Sequence, residues 1–278
     1  MKKIFCNNCK DEASLGFDFT MAFQPIINCK AHTIFGYEAL VRGINGESAY
    51  AVISKVNEDN RYTFDQLCRI KAIALAAELG VDSMLSINFL PNAVYKPERC
   101  IRTTLEAAKR YNFPTQRIMF EFTEVEKITD SAHIKRVVEY YQSLGFTTAT
   151  DDFGAGYSGL NLLADFQTDI IKFDMELIRN IDSDKIRQSI VIHSLNMLRD
   201  LNITPLAEGI ETLAEYTWLK SAGIELMQGY LFAKPGFESL PTIDFIDYCS
   251  LFGNANDSKA ASAIKQLEIH KQASSPYC

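Results

Sequence analysis

No stretch of 18 consecutive apolar residues occurs in the 278-residue chain, which excludes an ordinary membrane-spanning helix. The start M-K-K-I-F-C-N-N-C is basic but has no apolar run behind it, so no signal peptide is expected and the location is expected to be cytoplasmic. Positive charge is short as well. With 28 Lys and Arg against 35 Asp and Glu, the formal net charge of -7 leaves no basic footprint for DNA. Histidines number four, and none falls at the end of a strand-like run: His32 lies in a turn, His133 and His193 in helical stretches, His270 near the C-terminus. The seven cysteines, an odd number, do not spell a disulfide framework. Cys6 and Cys9 form a single C-x2-C with no second pair, which reads as ordinary reduced thiols in preference to half of a zinc site. The one tryptophan, Trp218, falls in a helical stretch and is expected to pack there.

What the chain does contain is a set of polar residues where strands should be apolar. Glu121 sits in I-M-F-E-F-T-E (118–124), a carboxylate between large apolar neighbours. Burying an unpaired charge costs several kcal/mol, on the order of a domain's whole stability. The arrangement recurs at Glu38 in F-G-Y-E-A-L, Asn88 in L-S-I-N-F-L, Asp151 and Asp152 after F-T-T-A-T, Lys172 in D-I-I-K-F-D and Glu208 in T-P-L-A-E-G. Repeated insertions at the ends of separate apolar strands read as one converging site.

Composition, 47% hydrophobic and 23% charged, is that of an ordinary globular protein with a sizeable core. Residues 1–18 are polar and aperiodic, an N-terminal arm. Strand-like runs at 19–27 and 34–40 flank the turn-prone N-C-K-A-H-T, so a hairpin and an antiparallel start are expected. Helical spacing follows over 47–58 and 64–79. Then come strand 84–90 with helix 98–112, strand 117–123 with helix 130–144, strand 146–151 with helix 157–164, and strand 169–174 with helix 184–201. Strand 203–207 with helix 211–222 and strand 224–227 with helix 239–251 complete the series. Repeated β-then-α units imply parallel strands with helices outside, and eight strands favour a closed α/β barrel of the (β/α)8 TIM type, modified by its N-terminal hairpin. The barrel is expected over 19–252, followed by 253–278 as a terminal helix or a loose tail.

In such a barrel the C-terminal strand ends form one rim, and Glu38, Asn88, Glu121, Asp151, Lys172, Glu208 and Gln228 all fall at or near strand ends. The set offers carboxylate and amide oxygens without imidazole or thiolate, which favours Mg²⁺ or Mn²⁺. So many carboxylates repel one another unless some are protonated or cations fill the gap, and two ions suit displacement at phosphorus. Lys172 has two readings: an ammonium that holds a water or offsets phosphate charge, or a buried salt bridge to Glu208 or Asp174. In D-D-F-G-A-G-Y-S-G-L (151–160) the glycines permit tight turns that present the two aspartates. A phosphate cradle is the competing reading, weakened because acidic residues precede it and no Lys follows.

Taken together, E-A-L-V-R (38–42), Asn88, E-F-T-E (121–124), D-D-F-G-A-G-Y-S (151–158), K-F-D (172–174), A-E-G-I-E (207–211) and Q-G-Y-L-F-A-K-P (228–235) resemble the EAL-domain phosphodiesterases, in order over about 19–240. The departures are Phe122, Val125 and Ala155, none of them a ligand or donor position. The resemblance implies a barrel with one reversed strand and hydrolysis of cyclic di-GMP to linear pGpG by in-line attack of a metal-activated water. It makes Glu38, Asn88, Glu121 and Asp151 metal ligands, with Asp151 bridging two Mg²⁺ or Mn²⁺ ions and Asp152 and Glu208 completing the second ion's surroundings. Lys172 would contact the hydrolytic water with Gln228 beside it; Arg42 would grip a phosphate and Gln24 would address a guanine. Glu124 would anchor the D-D-F-G loop, and Glu211 would support the site from behind. By resemblance a homodimer is expected, and with about 18 residues ahead of the barrel and no G-G-D-E-F-like segment, regulation would come through oligomerisation, the arm or a protein acting in trans.

Two other classes stand beside the hydrolase: a nucleotide receptor that signals by docking a partner, and a barrel enzyme using Lys172 as a Schiff-base or proton-abstracting lysine. The surrounding carboxylates keep Lys172 protonated and weigh against the last.

Overall fold

The computed structural model describes residues 15–90, 94, 96–123, 131–155 and 159–243. Cys6, Cys9, Glu124 and the segment 253–278 lie outside the described residues. The chain divides into two compact units, Met1–Pro241 and Thr242–Cys278, and the barrel belongs to the first.

Strands β1 (Thr20–Asn28) and β2 (Thr33–Arg42) form the expected hairpin, with Gln24 opposite Glu38. Six further strands follow in parallel and in chain order: β3 (Met84–Asn88), β4 (Ile118–Thr123), β5 (Thr147–Phe153), β6 (Ile170–Phe173), β7 (Thr204–Ala207) and β8 (Leu226–Met227). The sheet closes because β1 is antiparallel to both neighbours, pairing with β2 and, through Ile27 opposite Met227, with β8. This is a (β/α)8 barrel with one reversed strand. Between the strands lie α1 (Ala49–Ile53), α2 (Arg61–Glu78), α3 (Pro97–Cys100), α4 (Arg102–Arg110), α5 (Ser131–Ser143), α6 (Gly159–Asp165), α7 (Met175–Ile178), α8 (Lys185–Asp200) and α9 (Leu213–Ser221). No described helix is long and apolar enough to cross a membrane.

The departures from the expected elements have local causes. The helix expected over 47–58 stops at Ile53, because Asn57 and Asn60 exchange side-chain-to-backbone hydrogen bonds that compete with helix. Helix 98–112 divides at Ile101 into α3 and α4. The short α7 was not legible from periodicity; Asp174 starts it by accepting a hydrogen bond from the Glu176 amide at 2.8 Å. Residues 239–243 are not helical as expected: Gly236–Phe237 adds a short β9 to β1, and Pro241 disfavours helix at the residue before it. The remainder of that expected helix lies outside the described residues. Of the expected arm, Leu15 and Phe17 pack against the core.

Alternation along the strands sorts the side chains into two cores. Phe120 and Phe122 point outward and join Phe89, Tyr141, Phe146 and the helices in the larger one. Inside the barrel, Ile26, Met119, Ala149, Ile170, Leu206 and Leu226 form a smaller apolar floor.

Candidate functional site

Every second residue of a strand faces the same way, so the residue two beyond each floor residue also points into the barrel. Toward the C-terminal ends of the parallel strands those residues are Glu121, Asp151, Lys172, Glu208 and Gln228; on the reversed β1 the equivalent is Gln24. Glu38 joins them opposite Gln24, and Asn88 opposite Glu121. The polar insertions of the sequence are therefore one interior layer lying on an apolar floor, at the barrel face where sites are built.

Lys172 is the hub of this layer. Its Nζ lies 2.8 Å from Glu121 Oε2, 2.5 Å from Glu208 Oε1, 3.1 Å from Asp151 Oδ1 and 3.9 Å from Glu38 Oε2. Glu38 is held from two sides: Asn88 Nδ2 donates to its Oε1 at 2.8 Å and Gln228 Nε2 to its Oε2 at 2.9 Å. Of the two partners expected for a salt bridge, Glu208 is engaged, whereas the Asp174 carboxylate caps α7. Lys172 and Glu121 are fully buried, at 1% and 0% exposure.

Four carboxylates around one ammonium leave an excess of negative charge in a low-dielectric space. Burial, reinforced by the Glu38 and Asp151 charges against the pull of Lys172, pushes the Glu121 carboxyl up to about 8. Burial also pushes Glu208 well above the usual carboxylate range, and lifts Asp152, beside Asp151, to about 6. For Lys172 burial favours the neutral form, but the surrounding carboxylates outweigh it and hold the ammonium far above its ordinary value. A proton-abstracting role for this lysine has no support here.

Two oxygens of the layer, Glu121 Oε1 and Gln228 Oε1, are buried without a hydrogen-bond donor, and Glu208 Oε1 meets Lys172 without hydrogen-bond alignment. Orphaned hard oxygens beside surplus carboxylate charge are the chemistry a divalent cation satisfies. Among the described residues, no three His, Cys, Asp or Glu side chains close on a cation as they stand. The Lys172 ammonium stands between the carboxylates, so an ion would share or take its place.

The other expected residues are distributed around this layer. Gln24 is buried, and its Nε2 donates to the Ala233 carbonyl at 3.2 Å. Arg42 lies at the end of β2 and donates to the Val41 carbonyl at 2.7 Å rather than to the carboxylates. Asp152 sits at φ 56°, a left-handed conformation rare for a residue other than glycine, where β5 turns into the loop. Glu211 pairs with Arg179 at 2.9 Å, outside the layer. The letters G-A-G-Y-S-G at 154–159 fit the glycine pattern of dinucleotide loops, yet they follow an acidic pair at the rim of a closed barrel, not the first turn of an open sheet. Two supporting residues escaped the sequence reading. Glu215 accepts from the Asn180, Glu211 and Thr212 amides at 3.0 Å each, and so fastens the segment behind Glu208; its signal was the capping box T-x-x-E. Gly229, next to Gln228, packs so tightly that a Cβ there would collide with the Ile210 backbone.

The EAL domain model matches residues 11–235, a span that contains every residue of this layer. The chain belongs to the EAL domain family. Among curated relatives, it is 34% identical over 224 residues to the blue light- and temperature-regulated antirepressor BluF of Escherichia coli (80% of this chain, 55% of that protein). It is 28% identical over 240 residues to the probable cyclic di-GMP phosphodiesterase PdeN of the same organism (82% and 45%). This EAL chain thus spans about half the length of the curated relatives it matches. Among solved structures, a standalone EAL protein of Vibrio cholerae O395 with cyclic di-GMP bound is 73% identical, covering 83% of this chain and 98% of that one, with a TM-score of 0.81. BlrP1 of Klebsiella pneumoniae, in a manganese and cyclic di-GMP complex, is 36% identical, covering 82% and 58%, with a TM-score of 0.76.

Proposed function

We propose that this EAL chain is a metal-dependent phosphodiesterase that hydrolyses cyclic di-GMP to linear pGpG. The observation that carries the reading is the buried layer in which Glu38, Glu121, Asp151 and Glu208 surround Lys172 above an apolar floor. The 73% identical structure with bound cyclic di-GMP supports the substrate, and the manganese complex of BlrP1 supports a divalent ion.

In this reading Glu38, Asn88, Glu121 and Asp151, with Asp152 and Glu208, hold two Mg²⁺ or Mn²⁺ ions. Bound there, divalent ions supply Lewis-acid charge beside a phosphate and make water acidic enough to attack at neutral pH. Lys172 Nζ carries a fixed positive charge and orients the attacking water, with Gln228 keeping Glu38 in place. Arg42, its guanidinium at the rim, grips a phosphate, and Gln24 addresses a guanine. Glu124 would anchor the D-D-F-G loop, and Glu211 would support the site from behind. On this reading the protein works in the cytoplasm as a homodimer, and its regulation comes through oligomerisation, the arm or a protein acting in trans.

Purified protein with Mn²⁺ or Mg²⁺ is expected to convert cyclic di-GMP to pGpG, and Glu38→Ala to abolish turnover. The 34% identity to an antirepressor favours one second reading, a nucleotide receptor acting on a partner. Tight binding of intact cyclic di-GMP by folded protein, with no product in either metal, would establish the receptor and remove the enzyme.

A further inference from the structure

Outside the polar layer, on the far side of the sheet, α2 carries a second buried charge pair. Asp65 is 2% exposed and Arg69, one helical turn later, is 0% exposed. Asp65 Oδ2 lies 2.7 Å from Arg69 Nη2. The guanidinium is enclosed by the Phe89 and Phe120 rings, at 5.3 and 5.2 Å from their centroids, and donates from Nη1 to the Tyr141 hydroxyl at 3.1 Å. Burial pushes the Asp65 carboxyl above the usual range, and the Arg69 charge draws it back.

A buried ion pair contributes little stability over apolar residues of the same volume, so its presence calls for another account. The other oxygen of Asp65 supplies one. Asp65 Oδ1 accepts a hydrogen bond at 3.0 Å from the backbone amide of Leu90, two residues past Asn88. On the opposite edge of the same segment, the Phe89 amide donates to the Glu121 carbonyl at 2.9 Å. The end of β3 is thereby fastened to β4 on one side and to α2 on the other, while Asn88 Nδ2 donates to Glu38 at 2.8 Å.

We infer that Asp65 is a positioning residue: through the Leu90 amide it fixes the exit of β3 so that the Asn88 side chain meets Glu38 and presents its oxygen to a divalent ion, with Arg69 holding the carboxylate in place. It touches neither substrate nor ion, and the inference rests on the metal-dependent reading above.

Two double variants isolate the hydrogen bond. D65N/R69M removes the charge pair and retains an acceptor for the Leu90 amide; D65L/R69M removes both. Titration calorimetry with Mn²⁺ alone, on protein checked for folding by circular dichroism, is expected to give D65N/R69M an affinity within about three-fold of wild type and D65L/R69M a loss of about 10–100-fold, the range for outer supports of metal ligands. Equal affinities in the two variants overturn the inference. Should D65L/R69M fail to fold, amide exchange in the wild-type protein decides: slow exchange at Leu90 supports the clamp, and exchange as fast as an unbonded loop amide overturns it. Wild-type protein that binds no Mn²⁺ overturns the metal reading itself, and this inference with it.

Discussion

Replacing Lys172 with Met, a side chain of similar length without charge, tests how the carboxylates coexist. The ammonium lies within 3.1 Å of Glu121, Asp151 and Glu208, and 3.9 Å from Glu38. Removing one partner of a buried ion pair costs about 3–5 kcal/mol. Glu121 and Glu208 are already raised toward the protonated form. The escape left to the others is to take up a proton as well, and doing so at pH 7 onto a group of ordinary acidity costs roughly 3–4 kcal/mol. Both routes give a similar figure, so metal-free Lys172→Met should unfold about 6–20 °C below wild type, at about 2–4 °C per kcal/mol for a chain of this size. A cation can then do what the ammonium did. Mn²⁺ at a hundred times its dissociation constant contributes about 2.7 kcal/mol, and it should raise the melting temperature of the variant more than that of wild type, where Lys172 competes for the same oxygens. The assay is thermal unfolding with chelator and with Mn²⁺. A variant melting within about 2 °C of wild type in chelator would show that the ammonium is not what holds these carboxylates together.

Two further outcomes follow from the geometry. In metal-free protein the Glu121 carboxyl is raised to about 8, so the folded state holds a proton that the unfolded chain releases at ordinary carboxylate pH. Stability in chelator should therefore fall as pH rises from the ordinary carboxylate range through about 8, while stabilisation by Mn²⁺ grows over the same window because binding needs the ionised form. Melting curves with and without Mn²⁺ across that range check this, and a constant gap between them would contradict it. Gly229→Ala would drive a methyl group into the Ile210 backbone, and is expected to cost about 1–3 kcal/mol in urea unfolding. Because Gln228 moves with it, the proposed conversion of cyclic di-GMP to pGpG should drop by about ten-fold or more, and a variant with unchanged rate would remove Gln228 placement from the proposed mechanism.

How far this could be read beforehand differs between elements. The strands were legible because their apolar runs are short and end at polar residues, and the hairpin because turn-prone residues separate two such runs. The ends of elements were less so. Asn57 and Asn60 stop α1 through side-chain hydrogen bonds that periodicity does not register, and β9 exists only because β1 offers Ala22 and Phe23 an edge. For Lys172 the sequence favours an ammonium serving the site over a plain salt bridge, but spacing cannot say whether it faces one carboxylate or several. Asp65 and Arg69 passed unnoticed, since charged residues one turn apart on a helix usually mark a solvated face.

The sequence alone determined that polar groups recur at strand ends, that they are mostly oxygen donors, and that the motifs carrying them resemble, in order, those of the EAL-domain phosphodiesterases. Only the tertiary structure decided who meets whom: that Gln228 and Asn88 hold Glu38 between them, that Lys172 joins Glu121, Asp151 and Glu208, and that a helix outside the barrel grips the end of β3. The physical reason is closure. Strand alternation, a local property, fixes which side chains face inward. Their distances depend on eight strands bending into one ring, and that curvature is set by all the strand pairings at once.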